Sequence, residues 1–393
     1  MEKPSLLYAS PFPPMKSGIS DYSTALVKAL DSKFNITLFT DNYILEEKNM
    51  KKYPVVRYGV DKINFDHYDY IIYNIGNNPE YHSYIYEAAL KHPGMIILHD
   101  FVIYYLFIGY YKQKNELYSS VYSKLGHEDF QKIKDAVKQN GTDLLQQKHL
   151  TSILPMNKEI IESNNKIMVH SKFSYEKLIA TGLIERKRVA HINHIQLLED
   201  DFQEKTIERR ALFKKYNIPL DTIIIASFGY IAETKLNKEV CKVVRAINEN
   251  SDIKVCYVMV GAGEYADAEI DGKNAIKTGY TELDEFNSFV QYSDIIVNLR
   301  YPSMGETSGS MLRILQLGKC CVTNNGGWFS EIPDTCVCKI DVENVEAELK
   351  KTLSELITNK KRREIVGINA QKYIQDNYNA HKITQEIWDF VTK

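Results

Sequence analysis

Short apolar runs recur along the chain, each separated from the next by a longer stretch with apolar residues at helical spacing. In the first half they are SLLYAS (5–10), NITLFT (35–40), DYIIYNIG (69–76), MIILHD (95–100), KIMVHS (166–171) and RVAHIN (188–193). Apolar runs of this length suit strands buried on both faces, and the amphipathic stretches between them suit helices that carry the chain back over a sheet. The pattern restarts with TIIIASFG (222–229), KVCYVMVG (254–261), NAIKTGY (274–280), DIIVNLR (294–300), KCCVTNN (319–325) and CVCKID (336–341). The expectation is an α/β protein of two doubly wound, Rossmann-like parallel-sheet domains facing a central cleft.

Between the two sets, QLLEDDFQEKTIERR is polar, charged and free of strand signal, and reads as a hinge plus a helix near residues 196–210. This places a first domain at 1–200 and a second at 201–375. From about residue 360 onward Ile365, Ile368, Tyr373, Ile374 and Tyr378 fall at helical spacing, and the chain ends in EIWDFVTK. The segment 376–393 is expected to be a helix that crosses back to the first domain. A length of 393 residues fits two compact units better than one core.

Composition narrows the partners. Hydrophobic residues at 44% with 25% charged exclude a disordered or fibrous chain, and a net charge of -2 supplies no field for nucleic acid. The six cysteines, Cys241, Cys256, Cys320, Cys321, Cys336 and Cys338, match neither a zinc site nor a small disulfide framework, and read as reduced thiols in strands. MEKPSLLYASPFPP turns polar too quickly for a signal peptide, and no apolar run reaches the length of a membrane span. The expected location is the cytoplasm, with at most peripheral contact with the inner face of a membrane.

Ligands of wound sheets bind beyond the carboxyl ends of the strands, and the notable residues cluster there. Gly18 follows the first strand and precedes a helix starting near Ile19, where bare backbone and free N–H groups favour an anion. On its own Gly18 reads as a plain turn glycine, and the G-x-G-x-x-G spacing of a dinucleotide site is missing. The richest segment is LRYPSMGETSGSMLRILQLGKCCVTNNGGWFSEIPD (299–334). Within it Thr307, Ser308, Gly309 and Ser310 are small or hydroxylated residues at a helix start, suited to present N–H groups to a diphosphate or to sugar hydroxyls. Glu306, just before them, has helix capping as its plain alternative.

This segment resembles the C-terminal half of the retaining GT-B glycosyltransferases of family 4, the group 1 type. Weaker likeness extends over nearly the whole chain: the Gly18 loop, the His99–Asp100 pair, VHSKFS (169–174), FGYIAETK (228–235) and VGAGE (260–264). The resemblance implies a nucleotide-diphosphate sugar as donor, a glycan or lipid-linked sugar as acceptor, no metal and no further cofactor. It implies that Glu306 accepts hydrogen bonds from sugar hydroxyls, that Lys235 stabilises the leaving diphosphate, and that His99 contacts the transferring sugar. Gly18 and Gly229 belong with the donor, and the base lies against the TGYTEL turn near Tyr280 and Leu283. For His99 a buried, hydrogen-bonded histidine is the alternative, for Tyr280 a core aromatic, and His170, which closes another strand, is a weaker candidate.

Two departures stand out. The family has two glutamates separated by seven residues; counting from Glu306 puts Ile314 at the second place, and alignment on the following helix puts Arg313 there, so the acid that holds the donor ribose is absent. The clamp arginine near the first C-terminal strand is replaced by Tyr230, leaving Arg300 or Arg313 as substitutes, each with a structural salt bridge as its alternative. VGAGEYADAE reads as a strand-end turn, and FVIYYLFIGYYKQK (101–114) as mostly core, part of which could face a lipid-linked acceptor or a membrane edge. The resemblance implies front-side displacement, with the departing phosphate oxygen taking the acceptor proton, in surface polysaccharide or glycolipid synthesis. The alternatives are a catalytically decayed nucleotide-sugar-binding partner and a GT-B-fold epimerase or phosphorylase; a dinucleotide oxidoreductase would need the missing glycine motif.

Overall fold

The computed structural model describes residues 3–46, 50–195 and 206–393. Contacts divide the chain into two compact units: Met1–Ile195 with Met304–Thr307 and Tyr378–Lys393, and Gln196–Ser303 with Ser308–Asn377. Most of the segment read as a hinge, 196–205, lies outside the described residues.

The first unit runs β1 (Ser5–Ala9), α1 (Gly18–Leu30), β2 (Asn35–Thr40), β3 (Val55–Arg57), β4 (Tyr70–Ile75), α2 (Pro79–Lys91), β5 (Met95–Leu98), α3 (Tyr104–Gln113), α4 (Leu117–Leu125), α5 (His127–Asn140), α6 (Lys158–Glu162), β6 (Lys166–Val169), α7 (Lys172–Ala180) and β7 (Val189–His191). Its strands form one parallel sheet of seven in the order β3-β2-β1-β4-β5-β6-β7. The apolar runs become strands because both faces are covered: Leu6, Leu7, Tyr8 and Ala9 of β1 are fully buried. Helices start where the chain supplies caps. The Ser17 hydroxyl accepts from Ile19 N at the head of α1, and Asn78 with Pro79 opens α2. The three-residue edge strand β3 was not legible as a run, since each of its residues is only half-buried.

The aromatic run after β5 enters the core of this unit, where Tyr104, Leu106, Phe107 and Ile108 are fully buried. Only Tyr105 among its aromatics is half-buried, so the run offers no broad face to a lipid.

The second unit holds α8 (Arg209–Lys215), β8 (Ile223–Phe228), α9 (Asn237–Asn248), β9 (Val255–Val260), β10 (Ala275–Lys277), α10 (Leu283–Tyr292), β11 (Ile295–Val297), α11 (Gly309–Gln316), β12 (Cys321–Asn324), β13 (Cys338–Ile340), α12 (Val345–Thr358) and α13 (Lys360–Asn377). Its six parallel strands follow the order β10-β9-β8-β11-β12-β13. Cys241 lies on α9, not in a strand, because its burial follows the helical stripe Val240, Val243, Val244 and Ile247; all six cysteines are buried and unbridged.

The segment after residue 360 is helical, as the apolar spacing predicts, but only some of the spaced residues of α13 are buried. Ile365 and Ile368 are exposed, and the buried stripe is Val366, Gly367, Ala370 and Ile374, because Gly367 packs directly on the backbone of Gly318. The last helix, α14 (Ala380–Thr392), belongs to the first unit: Trp388 packs on Phe34 with ring centroids 4.8 Å apart, and the Lys33 ammonium donates to Gln385 Oε1 at 2.8 Å.

Candidate functional site

In the first unit the carboxyl ends of β1, β4, β5 and β6 converge on a buried polar cluster. Asn74, near the end of β4, is fully buried; its Nδ2 donates to Ala9 O at 3.1 Å and its Oδ1 lies 3.1 Å from His99 Nε2. Tyr22 of α1 stands among three imidazoles, its ring centroid 4.7 Å from His99, 5.0 Å from His170 and 4.6 Å from His194. His170 donates from Nδ1 to Ile192 O at 2.9 Å, and its buried Nε2 has no partner. Burial pushes His82 and His194 down to about 4 and His170 to about 3, and holds His99 well below the usual histidine range. The cluster is therefore neutral at pH 7.

The segment Met304–Thr307 joins this end of the first unit. Val102 N donates to Met304 O at 2.9 Å, and the Ser174 hydroxyl donates to Gly305 O at 2.8 Å. Gly305, at φ +85°, sits so near Phe101 that a Cβ would lie 2.6 Å from the Phe101 Cβ, which excludes any larger residue there. Glu306 is not the cap of α11; its Oε2 accepts from Met304 N at 2.7 Å within its own loop. Next to it, burial and then the charge of Glu306 push the Asp100 carboxyl up to about 7. Asp100 Oδ2 accepts from Asn77 N at 2.9 Å, and Asn77 Oδ1 in turn accepts from Tyr105 N at 2.8 Å, capping α3 from outside that helix. His99, Asp100 and Glu306 are thus brought together. Gly18 is the exposed first residue of α1, with nothing within 4 Å of a Cβ placed on it.

In the second unit the ends of β8 and β9 are laid backbone against backbone. Gly229 N donates to Val260 O at 2.9 Å and Ile231 N to Ala262 O at 2.7 Å. Gly229 is at φ +87°, and the Lys235 ammonium donates to Phe228 O at 2.8 Å, 3.1 Å from where a Gly229 Cβ would stand. Tyr301 N donates to Thr234 O at 2.8 Å, tying the Arg300 loop to the turn that carries Lys235. The Arg300 guanidinium donates to Leu299 O at 2.8 Å and to Asn298 Oδ1 at 3.2 Å, just beyond the end of β11. The Arg313 guanidinium lies 5.8 Å from the Phe286 ring.

The helix after Glu306 begins at Gly309, not Thr307, because Ser308 is its cap: the Ser308 hydroxyl accepts from Met311 N at 3.3 Å and lies 3.1 Å from Ser310 Oγ. The Thr307 hydroxyl is buried without a partner. Ile314 is fully buried, so the counted place of a second acid faces the core, while Arg313 is half-buried. Tyr280 and Leu283 are 58% and 45% exposed, which removes the core reading of Tyr280. Among the described residues no group of three or more His, Cys, Asp or Glu side chains is arranged to hold a metal ion. Asn74, Asn77 and Ser174 were missed in the sequence; the signal for Asn74 was an amide inside an otherwise apolar strand.

No protein-family model matches the chain, and no curated protein matches it. Solved structures do. HepE from Anabaena, in complex with UDP and glucose, is 12% identical, with a TM-score of 0.65 over 99% of this chain and 100% of that one. WaaG, a glycosyltransferase involved in lipopolysaccharide biosynthesis, is 12% identical, with a TM-score of 0.63 over 98% and 99%. Sucrose-phosphate synthase from Thermosynechococcus elongatus is 12% identical, with a TM-score of 0.62 over 99% and 98%. At such identity the likeness shows the fold, the two-sheet α/β architecture of GT-B glycosyltransferases.

Proposed function

We propose that the chain is a retaining glycosyltransferase that moves a sugar from a nucleotide-diphosphate sugar to a hydroxyl of a glycan or lipid-linked acceptor. The observation that carries this reading is the meeting of the Glu306 loop with His99 and Asp100 at the end of β5. A carboxylate held by Met304 N and a neutral imidazole are groups suited to the hydroxyls of a sugar. Lys235, at the end of β8 beside Gly229, is assigned to the diphosphate, together with the start of α11. Tyr280 and Leu283 are assigned to the base, Gly18 to the approach of phosphate or acceptor, and Arg300 or Arg313 to the charge that the missing clamp arginine would supply.

In the reaction the bond between the anomeric carbon and the phosphate oxygen breaks, the acceptor oxygen bonds to that carbon on the same face, and the acceptor proton passes to the departing phosphate oxygen. The protein aligns and stabilises charge, and needs neither a nucleophile of its own nor a metal ion. The UDP and glucose bound to HepE support a nucleotide-sugar donor, and the part of WaaG in lipopolysaccharide biosynthesis supports a setting in surface polysaccharide or glycolipid assembly. No helix among the described residues is long and apolar enough to cross a membrane.

A panel of nucleotide-sugars tests the reading by thermal stabilisation, since a ligand that binds only the folded state raises the melting temperature. One or a few nucleotide-sugars should stabilise the protein and be turned over. Stabilisation without turnover would instead identify a binding partner built on this fold.

A further inference from the structure

Asn74 is buried between β1 and β5, and its amide has one permitted orientation. Ala9 O, 3.1 Å from Nδ2, can only accept; turned the other way, the amide would set two acceptor oxygens against each other in the interior. Oδ1 therefore faces Tyr8 OH at 3.3 Å and His99 Nε2 at 3.1 Å. An amide oxygen cannot donate, so the His99 proton sits on Nε2 and the lone pair on Nδ1. The neighbouring rings are set the opposite way. His82, His170 and His194 each place Nδ1 against a carbonyl, those of Asn74 at 3.1 Å, Ile192 at 2.9 Å and Ile195 at 2.8 Å, so each carries its proton on Nδ1.

We propose that Asn74 is a positioning residue that locks His99 as the Nε2–H tautomer, so that Nδ1 accepts a hydrogen bond from a substrate hydroxyl. This rests on the reading of His99 as a sugar contact. A hydroxyl can donate to the Nδ1 lone pair, whereas a group that only accepts cannot. His99 retains 9% of its surface exposed, unlike the more deeply buried His82, His170 and His194, which fits a ring with one nitrogen left for a ligand.

Nitrogen-resolved NMR of histidine-labelled protein at pH 7 tests the lock without substrate. His99, assigned by the signal lost in His99→Gln, should show the proton on Nε2, against Nδ1 for His82, His170 and His194; a His99 proton on Nδ1 overturns the proposal. In Asn74→Leu the His99 signal should become a mixture of tautomers, and an unchanged Nε2–H signal would overturn the role of Asn74. Should that variant fail to fold, the wild-type spectrum still decides. On titration with the nucleotide-sugar that stabilises the protein, the His99 Nδ1 resonance should shift while the proton stays on Nε2; an Nδ1 resonance unmoved at saturation overturns the hydroxyl contact. If no nucleotide-sugar of the panel binds, the glycosyltransfer reading falls, while the NMR result separately decides the tautomer.

Discussion

Gly261 and Gly229 touch backbone to backbone, so closely that a Cβ on Gly261 would overlap the Gly229 carbonyl oxygen. The contact holds the end of β9 against the turn that leads to Lys235. Gly261→Ala should therefore lose about 1–3 kcal/mol in urea unfolding, the usual cost of forcing an extra carbon into packed structure. Gly18→Ala, where a Cβ meets nothing within 4 Å, should stay within about 0.5 kcal/mol of wild type. Equal stability of the two variants would remove the packing argument.

Lys235 and Glu306 should fail differently. Lys235→Ala removes charge that matters most as the diphosphate departs, so kcat should fall by roughly a hundredfold or more and free nucleoside diphosphate should bind more weakly. Glu306→Gln keeps the size but weakens charge-assisted bonds to sugar hydroxyls, so it should weaken the intact donor while sparing free nucleoside diphosphate. Calorimetric titration of both variants with both ligands, beside initial rates, separates the two roles.

The histidine cluster predicts sensitivity to acid. His82, His170 and His194 have folded values near 4, 3 and 4, below the unfolded value of 6.5, and His99 is lowered in the same sense. Their stabilisation is complete above pH 6.5 and is lost as the pH falls toward 4, because the unfolded chain takes up protons that the folded chain refuses. Each contributes up to about 1.4 kcal/mol per pH unit in that window. Asp100 acts in the opposite sense: raised to about 7, it costs stability as the pH climbs from about 4 to about 7. The urea midpoint should fall steeply below pH 6.5, and His170→Asn should flatten that slope by about one proton. In Glu306→Gln the Asp100 carboxyl, followed by NMR, should titrate below pH 7.

The absent second acid yields a paired prediction. Ile314→Glu buries an unpaired carboxylate and should cost several kcal/mol, on the order of 3 or more, or abolish folding. Arg313→Glu, at a half-buried position on the same helix, should fold. Circular dichroism melts of the two proteins distinguish them, and a stable Ile314→Glu would place that side chain outside the core.

Twelve apolar runs read as strands are strands, because in parallel sheets covered on both faces burial is written directly in composition. Strand β3 escaped because a half-buried edge of three residues leaves no apolar run. Hydrophobic periodicity marks α13 as helical but cannot register Gly367, which makes its closest contact. At the site, the grouping of His99 with Glu306 across some two hundred positions could be inferred only through family resemblance, since the hydrogen bonds that join them run through the backbone of Val102, Met304 and Gly305. The Asn74 contact depends on a register between β1, β4 and β5 that no local pattern encodes.

The central claim is tested most directly by proton NMR of the purified protein with the nucleotide-sugar that stabilises it, following both nucleoside diphosphate and the first-formed anomer of the released or transferred sugar. Retaining transfer predicts that diphosphate accumulates in step with product and that the first-formed anomer keeps the configuration of the donor. An inverted first anomer, or a sugar epimerised while still joined to its nucleotide, would contradict it.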